Sequence, residues 1–187
     1  MKKLKTIAVA LFVATATIAT AQNKKIDVAK SKIEWVGKKV TGQHNGVVEF
    51  KGGTLIFKGK KLTGGSFVVD MTTINTTDLQ GEYQGKLNGH LKADDFFGTD
   101  KYPTSKLVFK KLVDKGNGTY VVTADLTIKD VTAPVTFELK VNGSTATTSF
   151  KIDRTKYGIK YGSGSFFDNL GDKTINDEFD LTVTIQF

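Results

Sequence analysis

Along much of this chain apolar and polar residues alternate with a period of two, and that alternation limits the fold more than any motif does. Tyr120, Val122, Ala124, Leu126 and Ile128 oppose Val121, Thr123, Asp125, Thr127 and Lys129. Val135, Phe137, Leu139 and Val141 oppose Thr136, Glu138 and Lys140, and Leu181, Val183, Ile185 and Phe187 oppose Thr182, Thr184 and Gln186. Side chains along a strand point to opposite faces in turn, so each run predicts a strand with one buried and one solvated face. Shorter runs at Lys32–Val36, Val48–Phe50, Leu55–Phe57, Gly65–Met71, Lys106–Val113 and Phe150–Ile152 bring the expectation to about nine strands. Gly52-Gly53, Gly59-Lys60, Lys129-Asp130 and Asn142-Gly143 read as the tight turns between them. A sheet with one apolar face has to close on itself or pack on a second sheet. The expected fold class is therefore all-β: an antiparallel barrel of about eight strands, which removes the edges, with a sandwich as the alternative. Pro134 near a strand start predicts a bulge or an edge there.

One stretch breaks the pattern. From Thr77 to Pro103, Leu79, Tyr83, Leu87 and Leu91 recur every four residues, which predicts a single α-helical insert covering one end of the barrel. Thr77 with Gln80 three residues on reads as a capping box, and Glu82 with Lys86 as an i,i+4 pair. Gly81, Gly85 and Gly89 recur on roughly the opposite face, each costing about 0.8–1 kcal/mol relative to Ala. Either they let another backbone approach, or the helix is marginal and opens as a gate. Phe96 and Phe97 are expected to plug the β-layer, since each ring gains about 1.5–3 kcal/mol on burial.

Composition removes several kinds of chemistry. The 187 residues include no cysteine, which excludes disulfides, a thiol nucleophile and thiolate metal ligands. Lys2, Lys3 and Lys5, the apolar run Ile7–Ala19 and Ala19-Thr20-Ala21 have the layout of a cleaved signal peptide. The expectation is residues 1–21 as targeting segment, cleavage after Ala21, and a 22–187 domain in the periplasm or secreted. The net charge of +8 is almost entirely lysine, with Arg154 the only arginine. Forked recognition of bases and phosphates favours arginine, so nucleic acid is not an expected partner. Scattered lysines are compatible with transient contact with an anionic membrane surface.

No catalytic or cofactor signature stands out, and no cofactor or metal is expected. His44 and His90, the only histidines, lack metal-ligand spacing. Gly162-Ser163-Gly164-Ser165 imitates a nucleophile elbow without its strand-to-helix setting. Arg154 follows Asp153 in what reads as a strand, where the two would face opposite ways.

The ordered set His44-Asn45-Gly46, Gly64-Gly65-Ser66-Phe67-Val68-Val69-Asp70-Met71, His90-Leu91-Lys92-Ala93-Asp94-Asp95-Phe96-Phe97, Tyr102-Pro103 and Leu126-Thr127-Ile128-Lys129-Asp130-Val131-Thr132 resembles the YceI family across essentially the whole mature chain. Asp130 replaces the usual glycine after the Leu-Thr-Ile-Lys string, a departure confined to the turn. The resemblance implies a lipocalin-like antiparallel barrel with a helical insert, in an exported bacterial protein. It implies binding of a polyisoprenoid or similar apolar chain inside the barrel, homodimers among members, links to stress responses and isoprenoid-quinone metabolism, and no general catalytic mechanism.

Together these readings predict a non-enzymatic, lipid-binding barrel for a long-chain isoprenoid or quinone. The expected lining is Phe67, Val69, Phe96, Phe97, Phe109, Leu126, Ile128, Phe137 and Phe150, with His44, Leu87, His90 and Arg154 at the mouth or gate. Two rivals stand beside it: an enzyme acting on a lipid or quinone through His44, His90 or Arg154, and a solid barrel that recognises a protein. Alternation alone does not separate a hollow barrel from a filled one.

Overall fold

In the computed structural model, which describes residues 20–187, the alternating runs become nine strands. They are β1 (Ala21–Lys25), β2 (Lys32–Lys39), β3 (Gly42–Lys58), β4 (Lys61–Thr76), β5 (Thr104–Gly116), β6 (Thr119–Ile128), β7 (Val131–Asn142), β8 (Thr145–Asp153) and β9 (Glu178–Gln186), with one helix, α1 (Gly81–Lys92). From β2 onward each strand pairs antiparallel with the next, and β9 pairs with β2, so eight strands close a barrel. The ninth, β1, lies along Thr54–Lys58 of β3, on the edge that β2 occupies further up at Gly42–Val48. The signal-peptide reading lies, except for residues 20 and 21, outside the described residues.

Antiparallel order sends the connections alternately to two ends, and the ends differ. At the lower end the β3–β4, β5–β6 and β7–β8 turns are two residues each. At the upper end run the two long connections, 77–103 with α1, and 154–177. Between β6 and β7, Lys129 and Asp130 both hold positive φ (51° and 59°) and Ile128 faces Val131 across a two-residue turn. That is the backbone twist a tight hairpin requires.

The lower half of the barrel is solid. Leu55, Val122, Ala124 and Ala146 are fully buried there, and the Tyr120 hydroxyl accepts the Leu62 N–H at 3.2 Å. On the β2–β3 pair Trp35 faces Gly46. A Cβ on Gly46 would collide with the indole and with the Asn75 carbonyl, so glycine is what lets the ring lie flat. The indole N–H donates to the Val47 carbonyl at 3.2 Å.

Two local expectations are corrected. Gly52-Gly53 is not a turn: β3 runs unbroken through it, with a bulge between Phe50 and Gly52. The helix does not start from Thr77. It begins at Gly81, its N-cap Gln80 makes no side-chain cap bond, and the Thr77 hydroxyl instead accepts from the Asn45 amide. Of the expected stripe Leu79, Tyr83, Leu87 and Leu91, only the second half docks, because Leu79 precedes the helix and Tyr83 is 73% exposed while Leu87 and Leu91 pack on the core. The packed face is Gln84, Leu87, Asn88 and Leu91. Asn88 Oδ1 accepts the Thr76 N–H (2.8 Å), Asn88 Nδ2 donates to Asn75 (2.8 Å), and Gln84 Nε2 donates to the Thr76 carbonyl (2.7 Å). An amide clamp, together with two leucines, holds α1 to the end of β4.

A Cβ at Gly85 or Gly89 would meet nothing within 4 Å, so these glycines accommodate no neighbouring backbone and simply weaken the helix. Gly85→Ala and Gly89→Ala should each stabilise the protein by about 0.8–1 kcal/mol, whereas Asn88→Ala should cost about 1–3 kcal/mol by orphaning the Thr76 N–H. Denaturant unfolding of the three variants checks both signs.

Candidate functional site

Above the solid half, the inward faces of the strands leave a cavity. Its volume is about 170 Å³, counted as the space open to the centre of a water-sized sphere. A single water needs only about 10–15 Å³ by this measure. Its walls come from every barrel strand, its upper end from Leu91, Phe96 and Phe97 of the first long connection and Arg154, Ile175 and Asn176 of the second.

All nine residues expected to line it do so: Phe67, Val69, Phe96, Phe97, Phe109, Leu126, Ile128, Phe137 and Phe150. Five rings form a continuous band. Phe50 meets Phe67 at 6.0 Å between centroids, Phe67 meets Phe109 at 5.7 Å, Phe109 meets Phe137 at 6.1 Å, and Phe137 stacks on Phe150 at 4.6 Å and 18°. Such ring pairs contribute about 0.5–1.5 kcal/mol each beyond their burial. The expected lining omitted Trp35, Phe50, Met71, Ile74 and Phe179, which also face the space. Phe50 and Phe179 continue the alternation of β3 and β9 and were legible in principle. Met71 ends the Phe67–Val69–Met71 alternation and was equally legible, whereas Ile74 lies in an irregular stretch of β4 in which four residues, 71–74, separate Asp70 from Asn75, and no periodicity marks it.

The hydroxyls on this surface are already bonded to the protein. Ser105 donates to the Thr127 carbonyl at 2.8 Å and Thr148 to the Glu138 carbonyl at 2.6 Å. Lys38, at the rim, is paired with Asp180 at 2.6 Å. What remains for a guest is apolar contact.

Of the four residues expected at the mouth, only Arg154 touches the cavity. It does not extend β8. Asp153 caps a 3-10 turn, Arg154–Tyr157, through the Thr155 N–H, which directs the guanidinium inward. Arg154 is 2% exposed. Its Nε, Nη1 and Nη2 donate to the carbonyls of Asn176 (3.0 Å), Ile159 (2.9 Å) and Ile175 (3.0 Å). Asp177 lies 3.5 Å away, and the guanidinium sits over the Phe96 ring at 5.8 Å. Burial lowers the guanidinium's pKa from its ordinary value, while Asp177 and Asp153 oppose that shift. Hydrogen bonds from a charged donor contribute about 1.5–3 kcal/mol each, so these three fasten the roof firmly. His90 lies against Tyr161 (4.4 Å) and Phe96 (5.4 Å), and Leu87 packs at the edge of the core. His44 is outside, its Nδ1 2.8 Å from Asp78.

Among the described residues the candidate nucleophiles and acids are tied up in structural contacts. Ser163 of the elbow-like string is fully buried, and Ser165 donates to Asp177 at 2.6 Å. Tyr157 is buried and its phenol is pushed up to about 12 by desolvation. Among the described residues no cluster of three or more His, Asp or Glu side chains is placed to hold a metal, and no helix is long and apolar enough to cross a membrane.

Arg154→Met should leave three carbonyls without donors, the buried one of Ile159 and the half-buried ones of Ile175 and Asn176, at about 1–3 kcal/mol for each that water does not reach. A loss of at least about 3 kcal/mol in denaturant unfolding, with faster amide exchange across residues 154–177, is the expected result. Asp177 gives a pH signature. Burial acts to raise its carboxyl, but the hydroxyls of Ser163 and Ser165 and the Arg154 charge outweigh it and hold it below the ordinary 3.8. A folded value below the unfolded one stabilises the fold fully above 3.8, and the contribution disappears as pH falls through the folded value. Asp177→Asn should therefore destabilise the protein at neutral pH and converge with the parent as pH falls below 3.8 and through the folded carboxyl's lowered value, as read from unfolding midpoints on an acid series.

Comparison with known proteins places this geometry. A UPF0312 protein of Shewanella denitrificans is 36% identical over 104 residues, 56% of this chain and 50% of that protein. One of Vibrio parahaemolyticus is 37% identical over 71 residues, 37% of its length, so the match spans half or less of these relatives. A UPF0312 protein of Photorhabdus laumondii is 29% identical over 186 residues, covering 91% of this chain and 88% of its own. Among solved structures, Burkholderia cenocepacia BcnA superposes with a TM-score of 0.68 at 23% identity, over 86% of this chain and 98% of that one. A polyisoprenoid binding domain from Saccharophagus degradans, implicated in plant cell wall breakdown, gives 0.58 at 14% identity, over 86% and 95%. These structures share the fold. The model of the YceI-like domain matches residues 25–187, and the chain belongs to that family.

Proposed function

We propose that this protein binds a long apolar lipid, of the polyisoprenoid or isoprenoid-quinone type, and sequesters or carries it. The observation that carries the reading is the half-hollow barrel, whose cavity walls are apolar and whose few polar groups are spent on the protein itself. The Saccharophagus degradans domain that shares the fold is described as binding polyisoprenoid, which agrees with it. The driving force is transfer of hydrocarbon from water. At about 25 cal/mol per Å², roughly 400 Å² of buried chain supplies on the order of 10 kcal/mol before entropic costs. The reading includes export, with residues 1–21 as a cleaved signal peptide and a periplasmic or secreted protein that takes its cargo from a membrane. It assigns no catalytic role.

Native mass spectrometry of protein purified from its own host tests it. An apolar molecule should co-purify with the parent and be at least about tenfold depleted in Val69→Trp/Leu126→Trp, whose indoles would occupy the cavity. Insertion into a packed core costs about 1–3 kcal/mol, so at sites facing a void the variant should unfold near the parent's midpoint. A parent that is always empty overturns the proposal.

A further inference from the structure

The barrel is closed in topology but not along every seam. β6 and β7 are joined through ten register pairs and β8 and β9 through nine, while β7 and β8 share three, from Lys140–Thr147 to Asn142–Thr145. Above these, the Thr148 hydroxyl on the Glu138 carbonyl is the last hydrogen bond across. Residues 131–139 then pair only with β6 and residues 148–153 only with β9, which makes both strands edges facing each other. Pro134 lies in the unpaired stretch, the setting in which a strand tolerates proline. At the top the 3-10 turn Arg154–Tyr157 packs on β7, so the gap is a bounded slit.

The slit leads into the cavity. Phe137 and Leu139 on one side and Thr148, Phe150 and Ile152 on the other all line the space. What spans it is the stacked pair Phe137–Phe150, two rings 4.6 Å apart. Two other seams are short, each of five pairs: β4 with β5 is blocked lower down by Phe109 against Gly65 and by the Leu62–Tyr120 bond, and β2 with β9 is continued upward by the Lys39–Ile175 bridge and downward by the Asp27 N–H on the Gln186 carbonyl. The roof is fastened by the three Arg154 bonds and by backbone bonds from Val40 to Thr174 and from Asn176 to Lys38. Opening the roof breaks buried charged hydrogen bonds, whereas opening the slit turns two rings.

Resting on the apolar-chain reading above, we propose that the β7–β8 slit is the entry port. The ligand is an amphiphile that threads its chain between Phe137 and Phe150 and leaves its polar end outside. The Ser105 and Thr148 hydroxyls and the Arg154 guanidinium on the cavity wall are bonded to the protein, and an unpaired buried head is costly. Just outside the base of the slit, the outer faces of β7, β8 and β9 carry Lys140, Thr147, Ser149, Thr182 and Thr184 around a shallow polar depression.

The absence of native cysteine makes the test direct. Thr136 and Lys151 are exposed and face each other if the register is continued up the slit. Thr136→Cys/Lys151→Cys, tied by a short bis-maleimide, closes the port, and Val40→Cys/Thr174→Cys, tied likewise, pins the roof. Uptake is followed by the fluorescence of cis-parinaric acid and of its methyl ester. Tying the slit should slow association at least about tenfold, while tying the roof should change it less than about twofold. Phe150→Ala should speed both association and dissociation by about fivefold or more. Acid and ester should bind within about threefold of each other, since the head stays hydrated. Uptake at the parent rate with the slit tied overturns the port, as does uptake lost on tying the roof. A preference of about a hundredfold for the ester overturns the external head. Failure of the parent to take up either probe overturns the apolar-chain reading itself, and the port with it.

Discussion

The buried Arg154 guanidinium is the interaction on which the upper half of the molecule depends. A charge taken out of water is tolerated only where its donors are matched, and here the match is made with three backbone carbonyls of one connection, at Ile159, Ile175 and Asn176. Those carbonyls belong to a segment with only short 3-10 turns for regular structure, which has few other ways to satisfy its backbone. One side chain therefore folds a loop of more than twenty residues (154–177) over the end of the barrel, and Phe96 completes the contact from the other connection. Lys129 reinforces that second half by donating to the carbonyls of Asp94 and Phe96 at 2.7 and 2.8 Å.

The division between solid and hollow halves follows from residue size and strand spacing. In the lower half small residues meet large ones: Ala124 and Ala146 are fully buried alongside Leu55 and Val122, and the Tyr120 ring bridges to β4. In the upper half the inward positions of β3, β4, β5, β7 and β8 hold phenylalanine. Rings pack edge and face against their neighbours around the wall and do not reach across to the axis. The band of rings stabilises the wall and leaves the space inside it.

The sequence makes the strands legible where one face is wholly buried. β6 alternates without a break, from Tyr120 to Ile128, and its structure alternates in burial at every position. The same rule supplied seven of the nine lining residues, since an inward position of a barrel strand can only line the cavity or fill it; Phe96 and Phe97, in the first long connection, followed instead from the cost of exposing two adjacent rings. It failed where irregular backbone replaced the period. Gly52-Gly53 carries the signature of a turn, yet each glycine lies beside a paired neighbour strand, and the ladder prevails over local preference. The helix lies where it was expected, and of its expected face only Leu87 and Leu91 dock. Leu79 and Tyr83 fit the apolar period, while the actual docking uses Gln84 and Asn88 on Asn75 and Thr76, polar contacts that leave no trace in a hydrophobic pattern. The inward turn of Arg154 was equally hidden, because it depends on Asp153 ending the strand.

The slit has a further consequence for water. Backbone groups that lose a strand partner are satisfied by solvent when nothing else is near, so the facing edges of β7 and β8 are hydrated along the stretch where their pairing stops. The cavity immediately behind them offers water almost nothing to bond. A steep change from a wet rim to a dry interior is thus built into the wall itself, over about the thickness of one strand. A molecule held there, as the proposed port would hold it, would be sorted by the contrast between its two ends, amphiphiles ahead of plain hydrocarbons of the same bulk.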